Sequence, residues 1–89
     1  MYQVIDGRMV NEKGEVAIRY NMTIPKYIQI GKREYVFGVR ANISLVWVHP
    51  DDVDKMLNMK KICCGGSINK VCHLANELDV KRWLNISIW

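Results

Sequence analysis

ISLVWVHPDDVDKML, residues 43–57, decides the fold. Residues 43–48 form a dense apolar run carrying Trp47 and the β-branched Ile43, Val46 and Val48. Such a run reads as a strand, and its nearly unbroken apolar character implies cover on both faces, by a helix or a partner subunit. At His49-Pro50 the spacing changes. Proline suits the first helical position, and Asp51 and Asp52 complement the positive end of a helix dipole. Val53, Met56, Leu57 and Lys60 share one stripe, which predicts a helix over 50–62 that stops at Cys63-Cys64-Gly65-Gly66. Asp51, Asp52 and Asp54 read as first-turn residues with capping and dipole roles, and His49 as the N-cap.

Upstream the pattern is β. Residues 1–5 read as a strand closed by the turn dipeptide Asp6-Gly7, with Arg8-Met9-Val10 returning. Asn11-Glu12-Lys13-Gly14 reads as a polar hairpin loop. Val16, Ile18, Tyr20 and Met22 then alternate with Ala17, Arg19 and Asn21, which predicts a half-buried strand with one wet face. Residues 27–37 read as a second hairpin turning at Gly31-Lys32, where a leading glycine suits a type II′ turn. Residues 38–42 read as loop.

Downstream, residues 68–74 read as a short strand. Asn76 is a good N-cap, and Asp79 stands three residues later in the capping-box position. Val80, Trp83 and Leu84 then give the stripe of a second helix over 77–84. Asp52-Val53 and Leu57 recur in type as Asp79-Val80 and Leu84, an echo of two strand-to-helix units. The expected fold is therefore α+β in one domain, 1–89. An N-terminal antiparallel β part, built of hairpins as a small sheet or barrel, precedes two short helices in the C-terminal half.

Composition sets the remaining bounds. With 89 residues, 49% of them hydrophobic, and three Trp and four Tyr, the chain has the makings of one small core. No apolar run reaches the 18 residues of a membrane span, and residues 1–14 lack the layout of a signal peptide, so a cytosolic origin without membrane contact is expected. The net charge of +4 favours acidic partners without identifying nucleic acid. Three cysteines, an odd number, argue against a disulfide framework.

The metal-like residues are Cys63, Cys64, Cys72 and His73, with His49 further away. Zinc sites usually take ligand pairs spaced by two to four residues, whereas Cys63-Cys64 and Cys72-His73 are adjacent. The cysteines are therefore expected to be reduced and metal-free. Cys72 and His73, neighbours in a strand, are expected on opposite faces, which also argues against a nucleophile–base pair. The glycines of 63–66 close a helix and lack the lysine of a phosphate loop. No catalytic set emerges. The apolar end of the chain, with Ile86, Ile88 and Trp89, is expected to dock on a protein neighbour.

Taken together, GKREYVF, LVWVHPDDVDKML, KICCGG and HLANELDVKRW resemble small proteins encoded among the structural genes of tailed bacteriophages, over about residues 31–83. The resemblance implies a virion or assembly component, made in the host cytoplasm, that binds copies of a capsid, neck or tail protein. It carries over no functional residue. The expected function is thus non-enzymatic assembly through protein–protein contacts, without a cofactor. The alternative is a small metal-stabilised nucleic-acid-binding module. It would hold zinc with the Cys/His cluster and meet phosphates with the doublets Lys32-Arg33, Lys60-Lys61 and Lys81-Arg82.

Overall fold

Two strands carry the architecture because each is apolar on both faces. The computed structural model describes residues 2–21, 27–40, 42–62 and 68–85. In it β3 (Val16–Tyr20) and β7 (Ile43–Val48) pair antiparallel, from Val16 opposite Val48 to Tyr20 opposite Ser44. With β1 (Tyr2–Ile5), β2 (Arg8–Asn11) and β6 (Gly38–Arg40) they form a sheet in the order β1-β2-β3-β7-β6. A further strand, β10 (Cys72–Leu74), pairs with β3 through Cys72 opposite Tyr20 and Leu74 opposite Ile18. Two hairpins make separate two-stranded sheets, β4 (Tyr27–Ile30) with β5 (Arg33–Val36), and β8 (Lys60–Ile62) with β9 (Ile68–Lys70). A 3-10 turn at Pro50–Asp52 runs into α1 (Val53–Leu57), and α2 (Glu77–Asn85) comes last. The architecture is α+β, with the antiparallel sheet in the N-terminal part and both helices in the C-terminal half.

Alternation divides β3 and β7 between two cores. Val16, Ile18, Tyr20, Val46 and Val48 face one side, where Phe37, Tyr35, Val53 and Met56 close over them. Ala17, Ile43, Leu45 and Trp47 face the other, against Met9, Ala75, Val80 and Trp83. The β4–β5 hairpin and α1 thus cover the first face, and α2 covers the second. Ile43–Val48 therefore obtains cover on both faces from its own chain. Phe37, Ile18, Leu45 and Met56 are fully buried, each contributing about 1.5–3 kcal/mol relative to exposure.

Turn chemistry sets the hairpin registers. Asp6 (φ 50°) and Gly7 (φ 76°) are both left-handed, as a type I′ turn requires, and they place Ile5 opposite Arg8. Beyond β2, the Asn11 side-chain oxygen accepts the amides of Lys13 (3.0 Å) and Glu15 (2.9 Å) and shapes the loop before β3.

Four expectations need correction. The face of β3 read as wet is covered: Ala17 is fully buried and Arg19 half-buried. The β10–β3 ladder continues one residue past Leu74, with the Ala75 amide donating to the Ala17 carbonyl at 3.1 Å, and leads the chain into α2 over this face. The first helix ends well before residue 62. Its last turn tightens as the Met59 amide donates to the Met56 carbonyl at 3.2 Å, and Lys60 leaves the helical stripe to pair in β8. The stretch 68–74 is two strands broken at Val71, because β9 pairs with β8 while β10 pairs with β3. Finally, Gly38–Arg40 is a strand rather than loop, since the bare Gly38 backbone admits the ring of Trp83. A Cβ at Gly38 would lie 2.9 Å from Cη2 of that ring.

Candidate protein-binding surface

The residues read from sequence as metal-like do not converge. Cys72 is fully buried in the core beneath α1, where burial pushes its thiol up to about 11. A thiol held neutral at physiological pH is a poor nucleophile and a poor ligand. His73 is exposed and bonds Asn21 through Nε2. His49, at the end of β7, accepts the Asp51 amide on Nδ1 at 3.1 Å, the capping role that its position suggested. Among the described residues, no group of three His, Cys, Asp or Glu is placed to hold a metal ion. Cys63 and Cys64 lie outside the described residues, as do Ile86, Ile88 and Trp89.

Two buried carboxylates, by contrast, are built into polar anchors that the sequence concealed. Asp52 is 4% exposed and accepts the Tyr35 hydroxyl on Oδ2 at 2.6 Å, with Arg33 Nη1 at 3.4 Å. The Tyr35 hydroxyl also accepts the His49 amide at 3.2 Å. The hydroxyl bond holds the Asp52 carboxyl below its usual range, burial works against this, and the Arg33 charge adds to the lowering. Burial first, and then the bond to Asp52, raise the Tyr35 hydroxyl. This cluster pins the β4–β5 hairpin to the start of α1.

Asp79 plays the same part for α2. Its amide donates to Asn76 Oδ1 at 2.7 Å, its carboxylate faces the Asn76 amide at 3.5 Å, and Arg19 bonds both its oxygens at 3.2 Å. The echo seen in the sequence thus has physical content. In each copy a buried aspartate meets a strand arginine, and the next residue, Val53 or Val80, is fully buried. These are structural anchors with their bonding used internally, so they leave little for a substrate.

One surface with unspent capacity among the described residues is the β1–β2 hairpin. β1 pairs only with β2 among the described residues, so one of its edges is open. In a two-residue hairpin the pair flanking the turn is hydrogen-bonded, and bonded pairs alternate along the ladder. Ile5 and Gln3 therefore spend their backbone groups on β2, while Tyr2 and Val4 direct theirs to the open edge. Val4 and Ile5 are 53% and 48% exposed. Beside them lies a cavity of about 290 Å³, lined by Tyr2, Gln3, Ile5 and Val10 and closed by the loop after β2. Of the strands that edge the large sheet, β6 carries Arg40 and β10 carries His73, whereas β1 (YQVI) carries no charge. Charged residues are a common guard against strand addition, and β1 lacks it. The sequence showed this strand; its open edge depends on the sheet order, which no local pattern reports.

No family model, curated protein or solved structure matches the chain. No helix is long and apolar enough to cross a membrane among the described residues.

Proposed function

We propose that this chain is a non-enzymatic assembly protein that takes an extended segment of a neighbouring protein onto the open edge of β1. The observation that carries this reading is an uncharged edge strand, with exposed Val4 and Ile5, beside a cavity sized for side chains. In strand addition, main-chain hydrogen bonds supply affinity and pockets for alternate side chains supply selectivity. Tyr2 and Val4 offer the main-chain groups, and the cavity beside Ile5 and Val10 takes an apolar side chain. The resemblance to structural proteins of tailed phages supports a place in a virion, with copies of a capsid, neck or tail protein as neighbours. Among the described residues, the buried carboxylates of Asp52 and Asp79 are already engaged by Tyr35 and Arg33 and by Asn76 and Arg19, which supports the non-enzymatic reading.

Proline gives a test that depends on the register. Val4→Pro removes an outward N–H and leaves the β2 ladder intact, so it blocks strand addition at little cost to the fold. Gln3→Pro removes an inward N–H and unfastens the hairpin. Hexapeptides selected from a displayed library for binding are expected to alternate apolar residues and to protect the Val4 amide from hydrogen exchange. Val4→Pro is expected to abolish that binding and keep the thermal midpoint within a few degrees. Selected peptides that leave the Val4 amide unprotected, or that bind Val4→Pro as well as the parent chain, overturn the reading.

A further inference from the structure

The open edge of β1 complements a second copy of itself. Tyr2 and Val4 direct their backbone groups outward, and Gln3 stands between them. Two β1 strands laid antiparallel about a two-fold axis at Gln3 therefore set Tyr2 of each copy opposite Val4 of the other. Every outward residue then meets an outward residue, and both pairs exchange N–H···O bonds across the axis. An axis at Val4 would instead set Tyr2 against Asp6, which lies in the turn at φ 50° and does not continue the ladder.

We infer that β1 pairs with β1 of a second copy in this register, joining two sheets into one across a two-fold axis. This pairing rests on β1 being an edge open to strand addition, and it names the partner. The composition of the strand favours a copy over an unrelated segment. A charged residue on the axis would meet its own like and be repelled, whereas β1 (YQVI) carries no charge. The residue that falls on the axis is Gln3, whose amide both donates and accepts and so complements its own copy. The flanking pairs set an aromatic against a β-branched side chain, a favourable cross-strand combination. Val4, exposed in the single chain, is covered by the partner's Tyr2. A contact of this symmetry closes at two copies and does not grow into a filament. The paired segment is short, so the interface falls below about 1,200 Å², and the association is weak enough for a longer segment of a neighbouring protein to displace it.

Sedimentation equilibrium of the full chain between about 10 and 500 µM tests the pairing over the range in which so weak an interface fills. The parent chain is expected to pass from monomer to dimer, with the Val4 amide gaining protection from hydrogen exchange as it does. Gln3 is exposed, so Gln3→Glu and Gln3→Lys leave the fold in place while putting like charges on the axis. Each variant alone is expected to associate at least about tenfold more weakly than the parent. An equimolar mixture of the two is expected to recover association, because the charges on the axis are then opposite. That recovery also shows both variants to be folded. A parent chain that stays monomeric to about 500 µM overturns the inference. So does a dimer whose strength ignores both Gln3 substitutions, or a mixture no stronger than its components. The selected hexapeptides separate self-pairing from strand addition in general, since a peptide meets Gln3 without a two-fold axis. If they protect Val4 while the parent stays monomeric, strand addition stands and self-pairing fails. If the mixed variants recover the dimer and no peptide protects Val4, self-pairing stands and capture of an extended neighbour fails.

Discussion

Tyr35→Phe is the sharpest test of what holds the β4–β5 hairpin in place. The substitution keeps the ring that packs in the first core and removes only the hydroxyl. That hydroxyl donates to a buried carboxylate at 2.6 Å and accepts a backbone amide at 3.2 Å. A hydrogen bond to a charged group contributes about 1.5–3 kcal/mol, and His49 N–H loses its acceptor as well. The entropy of unfolding is about 2.1 cal/mol/K per residue, or roughly 0.19 kcal/mol/K for this length, so a 2 kcal/mol loss lowers the midpoint by about 10 °C. The pH dependence adds a second reading. The folded carboxyl of Asp52 lies below its ordinary value, chiefly because of Tyr35. Its stabilisation is therefore present above the unfolded value and is lost as pH falls through the folded one. The gap between parent and Tyr35→Phe is expected to be full near pH 7 and to narrow on acidification below about pH 4. Differential scanning calorimetry at pH 7, 4 and 3 measures both. A midpoint within about 2 °C of the parent at pH 7, against the drop expected from that lost bond, refutes the anchoring role.

Gly38→Ala is expected to cost about 1–3 kcal/mol through overpacking against Trp83, with a red shift of tryptophan emission as the ring is displaced. Asn76→Ala removes the cap of α2 and is expected to cost about 1 kcal/mol, read as a lower urea midpoint at constant slope. Cys72 is expected to resist a thiol-directed reagent at pH 8 in the folded chain and to react on unfolding, checked by peptide mass mapping after quenching.

Much of the fold was legible because local chemistry and tertiary structure agree. Asp6-Gly7 and Gly31-Lys32 make turns wherever they occur between strands, and Asn76 with Asp79 writes its own cap. The burial of 43–48 on both faces was legible too, from its unbroken apolar run. The misreadings share one cause, which is that alternation reports polarity and not cover. Ala17 and Arg19 look like a wet face, yet a small side chain and an arginine with a buried aspartate are what a helix needs to dock there. Asp52 looked like a first-turn capping residue, and its side chain makes no cap hydrogen bond to the helix. Its partners Arg33 and Tyr35 stand 19 and 17 residues earlier, a distance over which no local pattern pairs residues.

The candidate site was less legible for a related reason. A residue in a core is constrained by periodicity, whereas an edge is defined by the strand that fails to follow. β1 reads as a strand under either topology, and only the order β1-β2-β3-β7-β6 makes it terminal. Sheet edges are costly to leave open, since they template pairing with other chains. The other two edges of the large sheet show how this chain guards them. On β6, Gly38 lies under Trp83, and the guanidinium of Arg40 sits 4.7 Å from the centre of that ring and bonds the Trp83 carbonyl at 3.3 Å. On β10, His73 engages Asn21. β1 has neither device among the described residues, and its apolar Val4 and Ile5 are exposed. Among the described residues, a tryptophan, an arginine and a histidine stand at two edges of the large sheet and no charged side chain stands on the third, and the proposed strand addition rests on that difference.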